Sequence, residues 1–400
     1  MQIQHIKYKD LEQFPQIQIN KDFKKDFQGS SPSLFVGKNN YPNVNVGFLS
    51  PQFSGDTSHY DSPRLWSKGK FQIGTIASMR YGLVNSRAQW NVREIHKQNK
   101  FLNICQEVGM ASKSVEMEVN LKDVPKLNFK PEKEIIPFGP QSEVKNARIT
   151  ANTKVDSRVE RVVSDSDLKA VGAITDLYKK GFEESFLNKL LSAGNVGMKQ
   201  NRRLVPTRWS ITAVDDTIGK QLITEINDFP TGDYEAYFWG EWGNYYLILF
   251  FPEVWSYELF ETYISYKINP WSKEGHFYST DYENYEGRKE YAEECAGGYY
   301  AARLGILEKM KELKRQHSAL AFRFITPEYN VPLGVWVCRE ATRKSLKERP
   351  IGFATKELML SYAKEIIKNK FGMDLDLLLK ESKLLKNLNQ QRKLAEFMQL

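Results

Sequence analysis

Two predicted strands lie in the stretch Tyr237-Phe-Trp-Gly-Glu-Trp-Gly-Asn-Tyr-Tyr-Leu-Ile-Leu-Phe-Phe251, on either side of Gly240–Gly243, because aromatic and aliphatic residues dominate both halves. The clearest helix follows between Gly287 and His317, where apolar residues recur at helical spacing. The pair Gly297-Gly298 inside it indicates a close backbone approach. Strands and helices alternate without a regular βαβ repeat. We therefore predict an α+β fold, a mixed two-part chain with a long carboxy-terminal helical region.

The same patterns predict further elements along the chain. Turn-rich sequence separates short predicted strands, and Gly194 is a typical helix end. The predicted strands are Leu34–Val36, Val44–Val46, 203–214, Ala321–Ile325 and Leu333–Cys338. The predicted helices are a segment after Ser164–Asp167 that Gly181 divides, Lys356–Lys370, and Asp374 to Asn389.

The chain is long enough for two or three domains, since it has 400 residues. Four prolines between residues 120 and 140 indicate a boundary or long loop. The predicted segments are a lead-in at 1–28, an amino-terminal region at 29–140, a central α+β region with a basic block at 141–270, a carboxy-terminal region at 271–384 and a tail at 385–400.

The overall charge favours anionic partners, nucleic acid first, because the formal net charge is +8. Three widely spaced cysteines predict neither a disulfide framework nor a thiolate metal site. The amino terminus has no apolar segment typical of a signal peptide, and the longest apolar run, Tyr245–Pro252, is too short to span a membrane. We expect a cytoplasmic, nucleoid-associated protein without a membrane partner.

One basic segment is a candidate site for DNA or nucleotide phosphates. The stretch from Lys199 to Arg208 has four basic side chains and no acid. If 208–214 is a strand, Arg208, Ser210 and Thr212 share one face, and guanidinium and hydroxyl groups can donate to phosphate oxygens. An equally open alternative is the solvated face of an edge strand. The candidate phosphate-binding residues are Lys199, Arg202, Arg203, Arg208, Ser210 and Thr212.

Four acids are candidates for catalysis. Asp215 and Asp216 end the basic segment, and Asp281 and Glu283 would lie on one face of a strand. Paired carboxylates can hold a divalent metal or transfer protons, but a turn, a helix cap or ordinary surface acids explain them as well. His276, upstream of Asp281, lacks a second ligand at zinc spacing. Neither a nucleophile elbow nor a phosphate-binding P-loop occurs, so any enzymatic activity would have to use carboxylates and arginines without a familiar motif.

The last eleven residues follow the pattern of a clamp-binding peptide. Gln391, Leu394 and Phe397 are three residues apart, and Met398 follows. In a 3₁₀ turn such residues stack on one side, so the three apolar side chains would form a small plug. Their burial would give an affinity for a clamp on the order of micromolar. The alternative is the last turn of an amphipathic helix that packs on its own domain.

Four segments carry a resemblance to a known family: Ser31–Gly47, Arg202–Asp216, Gly297–Arg303 and Pro332–Glu340. They resemble the archaeal Nre family of DNA repair proteins, over the chain from about residue 29 to the end. The resemblance implies a two-part chain, a role in repair of damaged DNA, and a carboxy-terminal peptide that engages the PCNA sliding clamp. That peptide maps onto Gln391, Leu394, Phe397 and Met398.

The chain departs from the family pattern at two places. Many relatives have a cysteine-rich cluster near the amino terminus that is expected to bind zinc, whereas this chain has no cysteine before Cys105. We therefore predict no zinc there and assign no other metal and no cofactor. The peptide usually ends in two aromatic residues, and here Met398 is the second; Met can fill an apolar site but can bind it more weakly.

The resemblance and the residues together favour a DNA repair factor that the PCNA clamp recruits, with a basic DNA- or nucleotide-phosphate-binding site. The alternative is an enzyme that acts on nucleic acid or a nucleotide cofactor. It would be either a metal-dependent nuclease that uses Asp215, Asp216, Asp281 and Glu283, or a group-transfer enzyme whose arginines hold the phosphates.

Overall fold

The computed structural model describes residues 22–97, 99–126, 134–264 and 278–390. These residues divide into two compact units. The amino-terminal unit comprises the residues up to Ile218 and Val331–Trp336, and the carboxy-terminal unit comprises Gly219–Asn330 and the residues from Val337 onward. Each unit contains one six-stranded mixed sheet with helices around it. The predicted α+β, two-part fold is therefore confirmed.

The sheet of the amino-terminal unit has the order β1-β5-β6-β4-β3-β2. Only β4 and β6 are parallel neighbours among its described pairs. Its strands are β1 Asp26–Ser31, β2 Ser33–Val36, β3 Asn43–Ser50, β4 Val84–Asn91, β5 Val115–Leu121 and β6 Gln141–Ile149. The alternating side chains Val44, Val46 and Phe48 point to one face and form the core of this unit, together with α3.

Six helices lie wholly within this unit, and a seventh begins there. They are α1 Pro63–Lys68, α2 Ile73–Tyr81, α3 Lys100–Met110, α4 Ser157–Ser164, α5 Ala170–Lys179, α6 Glu184–Ser192 and α7 Thr207–Ile226. Helix α3 begins at Asn99, whose side chain accepts hydrogen bonds from the amides of Phe101 and Leu102. Gly181 separates α5 from α6 and has a positive φ of 89°, and Gly194 follows α6 with a φ of 70°, as their predicted roles require.

The sheet of the carboxy-terminal unit has the order β10-β9-β11-β8-β7-β12. Its strands are β7 Tyr234–Glu241, β8 Asn244–Phe251, β9 Ser256–Tyr263, β10 Tyr278–Glu283, β11 Ser318–Ile325 and β12 Ile351–Phe353. Strands β9 and β11 are parallel. Its helices are α8 Ala296–Leu313, α9 Trp336–Ser345, α10 Lys356–Phe371, α11 Asp376–Leu379 and α12 Lys383–Gln390. Leucines and phenylalanines on one sheet face form a core with α10, α11 and α12.

The structure confirms the predicted hairpin and corrects two predicted strands. Strands β7 and β8 meet at Trp242 and Gly243, whose φ values of 52° and 67° suit a tight turn. Residues 208–214 are not a strand, because helix α7 begins at Thr207. The segment Leu333–Cys338 is not a strand either, since α9 begins at Trp336. No helix of the described residues is both long and apolar enough to cross a bilayer.

The three cysteines Cys105, Cys295 and Cys338 are free and buried. Burial raises the pKa of each thiol, because the charged thiolate loses its hydration. Cys338 lies near Arg323, and this cation opposes the rise of its pKa.

Gly298 explains the glycine pair at the start of α8. A Cβ at this position would lie 2.7 Å from Oε1 of Glu261, closer than van der Waals contact allows. Glu261 cannot yield easily, because its carboxylate forms a mostly buried ion pair with Arg323. Position 298 therefore requires glycine, because the carboxylate of Glu261 on a neighbouring strand occupies the space of a Cβ. The predicted close approach is thus made by this side chain to the backbone of α8.

We expect Gly298→Ala to destabilise the protein by about 1–3 kcal/mol through overpacking, although Ala ordinarily stabilises a helix interior by up to about 1 kcal/mol relative to Gly. Urea unfolding of the full chain measures this difference. The matched control is Gly172→Ala in α5, where the nearest atom is the Cδ1 of Leu168 and stability should be unchanged or higher. Equal stability of Gly298→Ala and the wild type would contradict the explanation.

His317 is a buried histidine that makes stability dependent on pH. Its ring stacks on Phe250 with centroids 4.6 Å apart, and neither ring nitrogen has a hydrogen-bond partner among the described residues. Burial lowers the pKa of His317 to about 4, partly opposed by Asp233. The unfolded chain thus takes up a proton near pH 6.5 that the folded protein binds only near pH 4.

The free energy of unfolding is therefore highest above pH 6.5 and falls as the pH approaches 4. His317 accounts for about 3 kcal/mol of this fall. We expect His317→Phe to remove this part of the pH dependence, measured by urea unfolding at several values between pH 4 and 7. The exposed His96 provides the control variant His96→Gln, which should keep the wild-type slope. A wild-type slope in His317→Phe would assign the effect to other groups.

Candidate nucleic-acid interface

The basic segment forms a 3₁₀ turn and the start of a helix. Lys199–Asn201 is the turn, and an extended stretch leads to α7 at Thr207. Because helical residues four apart lie on one face, α7 brings Arg208 and Thr212 together but places Ser210 on another side. The predicted common face of Arg208, Ser210 and Thr212 is therefore wrong.

Arg202 holds the ends of two neighbouring segments together. Its guanidinium donates hydrogen bonds to the carbonyl oxygens of Val163, Asp165 and Gly197, at 2.8, 2.9 and 2.8 Å. Val163 and Asp165 lie at the end of α4, where carbonyls lack partners within the helix. Burial lowers the pKa of Arg202, but an arginine stays charged at any physiological pH. Three of its five donors thus serve the fold.

Arg208 and Ser210 also have partners inside the amino-terminal unit. Arg208 forms a two-point ion pair with the carboxylate of Glu134, which is 74 residues away in the sequence. The hydroxyl of Ser210 is fully buried and lies 2.7 Å from that of Ser192 at the end of α6. These two residues attach α7 to its surroundings.

Lys199 and Arg203 are the members of the candidate set whose side chains are exposed. Thr212 is half-buried. Within the part of the chain that the structure describes, neither Lys199 nor Arg203 forms an ion pair. An exposed cation without a counter-ion is available to phosphate, so two of the four cations in the basic segment are available in this way.

The acid candidates fall in different units. Asp215 is fully buried on α7 and Asp216 is half-buried beside it, so consecutive helix positions direct them apart. Asp281 and Glu283 lie on one face of β10, as predicted, in the carboxy-terminal unit. Among the described residues, no group of three or more His, Cys, Asp and Glu side chains is arranged to hold a metal ion. His276 lies outside the described residues.

Asp281 and Glu283 are each paired with an arginine. Glu283 lies 2.8 Å from Arg303, and both side chains are fully buried. Asp281 lies 3.1 Å from Arg288 and accepts hydrogen bonds from the amides of Glu294 and Cys295, just before α8. Burial raises the pKa of Asp281, and Arg288 opposes that rise. These contacts give both acids a structural role in attaching α8 to the sheet.

The clamp-peptide residues Gln391, Leu394, Phe397 and Met398 lie outside the described residues. The helix that precedes them, α12, is firmly attached to the sheet. The fully buried carboxylate of Glu258 accepts hydrogen bonds from the amides of Lys383 and Leu384, both at 3.0 Å, and from the hydroxyl of Ser382. This carboxylate satisfies amides at the start of the helix that have no partner within it.

The carboxy-terminal unit also contains a buried charge cluster that was not predicted from the sequence. Arg323 on β11 donates to Oδ1 of Asn244 at 2.6 and 2.9 Å and pairs with Glu261. Burial opposes the charge of Arg323, but Cys338 and Glu261 nearby hold its pKa well above the usual value. The signal was a single arginine within the apolar run Ser318–Ile325, since a charge there needs a buried partner.

The fold defines a two-unit α+β protein, with a basic segment that is partly exposed on its amino-terminal unit. Residues 8–271 match the family model described as archaeal Nre, N-terminal, and residues 283–397 match the one described as archaeal Nre, C-terminal. The chain belongs to the archaeal Nre family.

Curated relatives agree with this membership. DNA repair protein NreA of Haloferax volcanii is 36% identical over 80% of this chain and 78% of its own length. DNA repair protein NreB of Archaeoglobus fulgidus is 35% identical over 96% of this chain and 95% of its own. The NreA protein of the same organism is 34% identical over 85% of both chains. No solved structure matches the chain.

The different roles of adjacent arginines can be tested by stability. We expect Arg202→Ala to destabilise the protein by about 1–3 kcal/mol, because the carbonyl groups of Val163, Asp165 and Gly197 lose a charged donor that ties their segments together. Arg203→Ala should change stability by less than about 0.5 kcal/mol, since its side chain is exposed. Urea unfolding of both variants measures the contrast. A loss in Arg202→Ala as small as the one expected for Arg203→Ala would show that Arg202 is not a structural residue.

Proposed function

We propose that this protein is a DNA repair factor that the PCNA sliding clamp recruits to damaged DNA. Three relatives that cover most of the chain are named DNA repair proteins. The formal net charge of +8 favours a polyanionic partner. Lys199 and Arg203 offer exposed positive charge for backbone phosphates.

The observation that carries the recruitment is the spacing of Gln391, Leu394, Phe397 and Met398. A glutamine followed at intervals of three by an aliphatic and an aromatic residue suits a short apolar plug with an amide beside it. The attachment of α12 through Glu258 supports the proposal as well. Because α12 is attached to the sheet, the residues that follow it are linked to a fixed point of the carboxy-terminal unit. A clamp that binds these residues therefore keeps the carboxy-terminal unit nearby.

The experiment is a binding titration of the full-length chain with PCNA by isothermal calorimetry. We expect an affinity on the order of micromolar. The double variant Leu394→Ala, Phe397→Ala should weaken binding at least tenfold. It removes two side chains, and the burial of each contributes about 1.5–3 kcal/mol to binding.

The matched control changes two positions of the same segment that lie outside the pattern. Lys393→Ala with Glu396→Ala leaves the net charge unchanged and should bind PCNA within about twofold of the wild type. Clamp binding that persists unchanged in the Leu394, Phe397 variant, or that is lost equally in the control, would refute recruitment through this pattern.

A further inference from the structure

Tyr41 and Trp209 form an exposed aromatic pair on the amino-terminal unit. Their ring centroids are 5.2 Å apart and their planes are inclined by 52°. The two residues are 44% and 45% exposed, although both ring systems are large enough to stabilise a core. Tyr41 lies in the turn between β2 and β3, and Trp209 lies in the first turn of α7. Adjacent exposed aromatic side chains on a folded surface mark a place where a ligand can stack.

The backbone around this pair is fixed by hydrogen bonds between distant segments. The amide of Val36 donates to Oγ1 of Thr207 at 2.9 Å, which joins β2 to the start of α7. The amide of Val92 donates to the carbonyl of Pro42 at 2.9 Å, and that of Leu204 donates to the carbonyl of Val92 at 3.0 Å. The two rings therefore stand on a preformed framework.

Two exposed arginines border the same framework. Arg93 follows Val92 and Arg203 precedes Leu204, and these two neighbours are the hydrogen-bonded pair just described. Within the described residues neither guanidinium forms an ion pair. Aromatic faces and unpaired cations on one hydrogen-bonded framework match the two parts of a single-stranded nucleic acid, the flat base and the charged phosphate.

We propose that Tyr41 and Trp209 are a stacking platform for an unpaired base of single-stranded DNA, with Arg93 and Arg203 receiving the neighbouring phosphates. This inference rests on the proposed function and specifies its substrate as DNA with unpaired bases. The bases of an intact duplex are stacked on one another, and their faces are not available to the platform. The protein then selects DNA by the accessibility of its bases.

The test is fluorescence anisotropy of the full-length protein with a labelled single-stranded oligonucleotide and with its fully paired duplex. The wild type binds the single strand more tightly than the duplex. Trp209→Ala and Tyr41→Ala each weaken single-strand binding about 5- to 100-fold and leave its salt dependence unchanged. Arg93→Ala and Arg203→Ala each reduce the slope of log affinity against log salt by about 0.7.

The matched control is Trp239→Ala, which removes a tryptophan of similar exposure, 48%, from the carboxy-terminal unit and leaves the affinity unchanged. Trp209→Phe keeps a ring and retains most of the binding, so it separates stacking from a folding defect in Trp209→Ala.

If Trp209→Ala and Tyr41→Ala both keep the wild-type affinity for single-stranded DNA, the stacking platform is refuted. DNA binding by the protein is not affected by that result. Equal affinity for strand and duplex overturns it too. Binding of neither DNA at low salt overturns DNA contact in the proposed function itself.

Discussion

Three carboxylates that are buried or nearly so, on one face of the second sheet, set the constraint on which the carboxy-terminal unit depends. Glu261, Asp281 and Glu283 point to the same side because β9 and β10 pair in register. An isolated carboxylate in such a place would cost several kcal/mol. Each has an arginine, and the three arginines come from a strand, a loop and α8. The fold of this unit must therefore bring these distant segments together.

Apolar burial explains where the sequence predicted the fold and where it did not. Apolar runs such as β8 and β11, and the periodic helix α10, were predictable because burial alone determines them. The segment 208–214 was misread because Thr, Trp, Ile and Val favour strands locally. Its helical signal begins only at the end of that window, in Val214, and continues in Ile218 and Leu222, which are buried at intervals of four. Tertiary packing overrides local propensity here.

The candidate site shows a second limit of sequence reasoning. A basic segment without acids in its own sequence still has an acid beside it, since Glu134 reaches Arg208 across 74 positions. Arg202 likewise donates hydrogen bonds to backbone carbonyl groups of other segments, which the sequence does not reveal. The alternation of side chains along a strand was enough to predict that Asp281 and Glu283 share one face, but their arginine partners were not predictable. The exposed aromatic pair gave no pattern in sequence, because Tyr41 and Trp209 come from segments far apart.

The buried thiols have a consequence for chemical durability. Oxidants attack the thiolate form of an accessible cysteine and convert it to sulfenic and higher acids. Cys105, Cys295 and Cys338 are at most 4% exposed, and burial keeps their protons in place. Peroxide therefore reaches these sulfur atoms only when a unit opens locally. In the native protein these three thiols are therefore shielded from the reactive species that also injure nucleic acids.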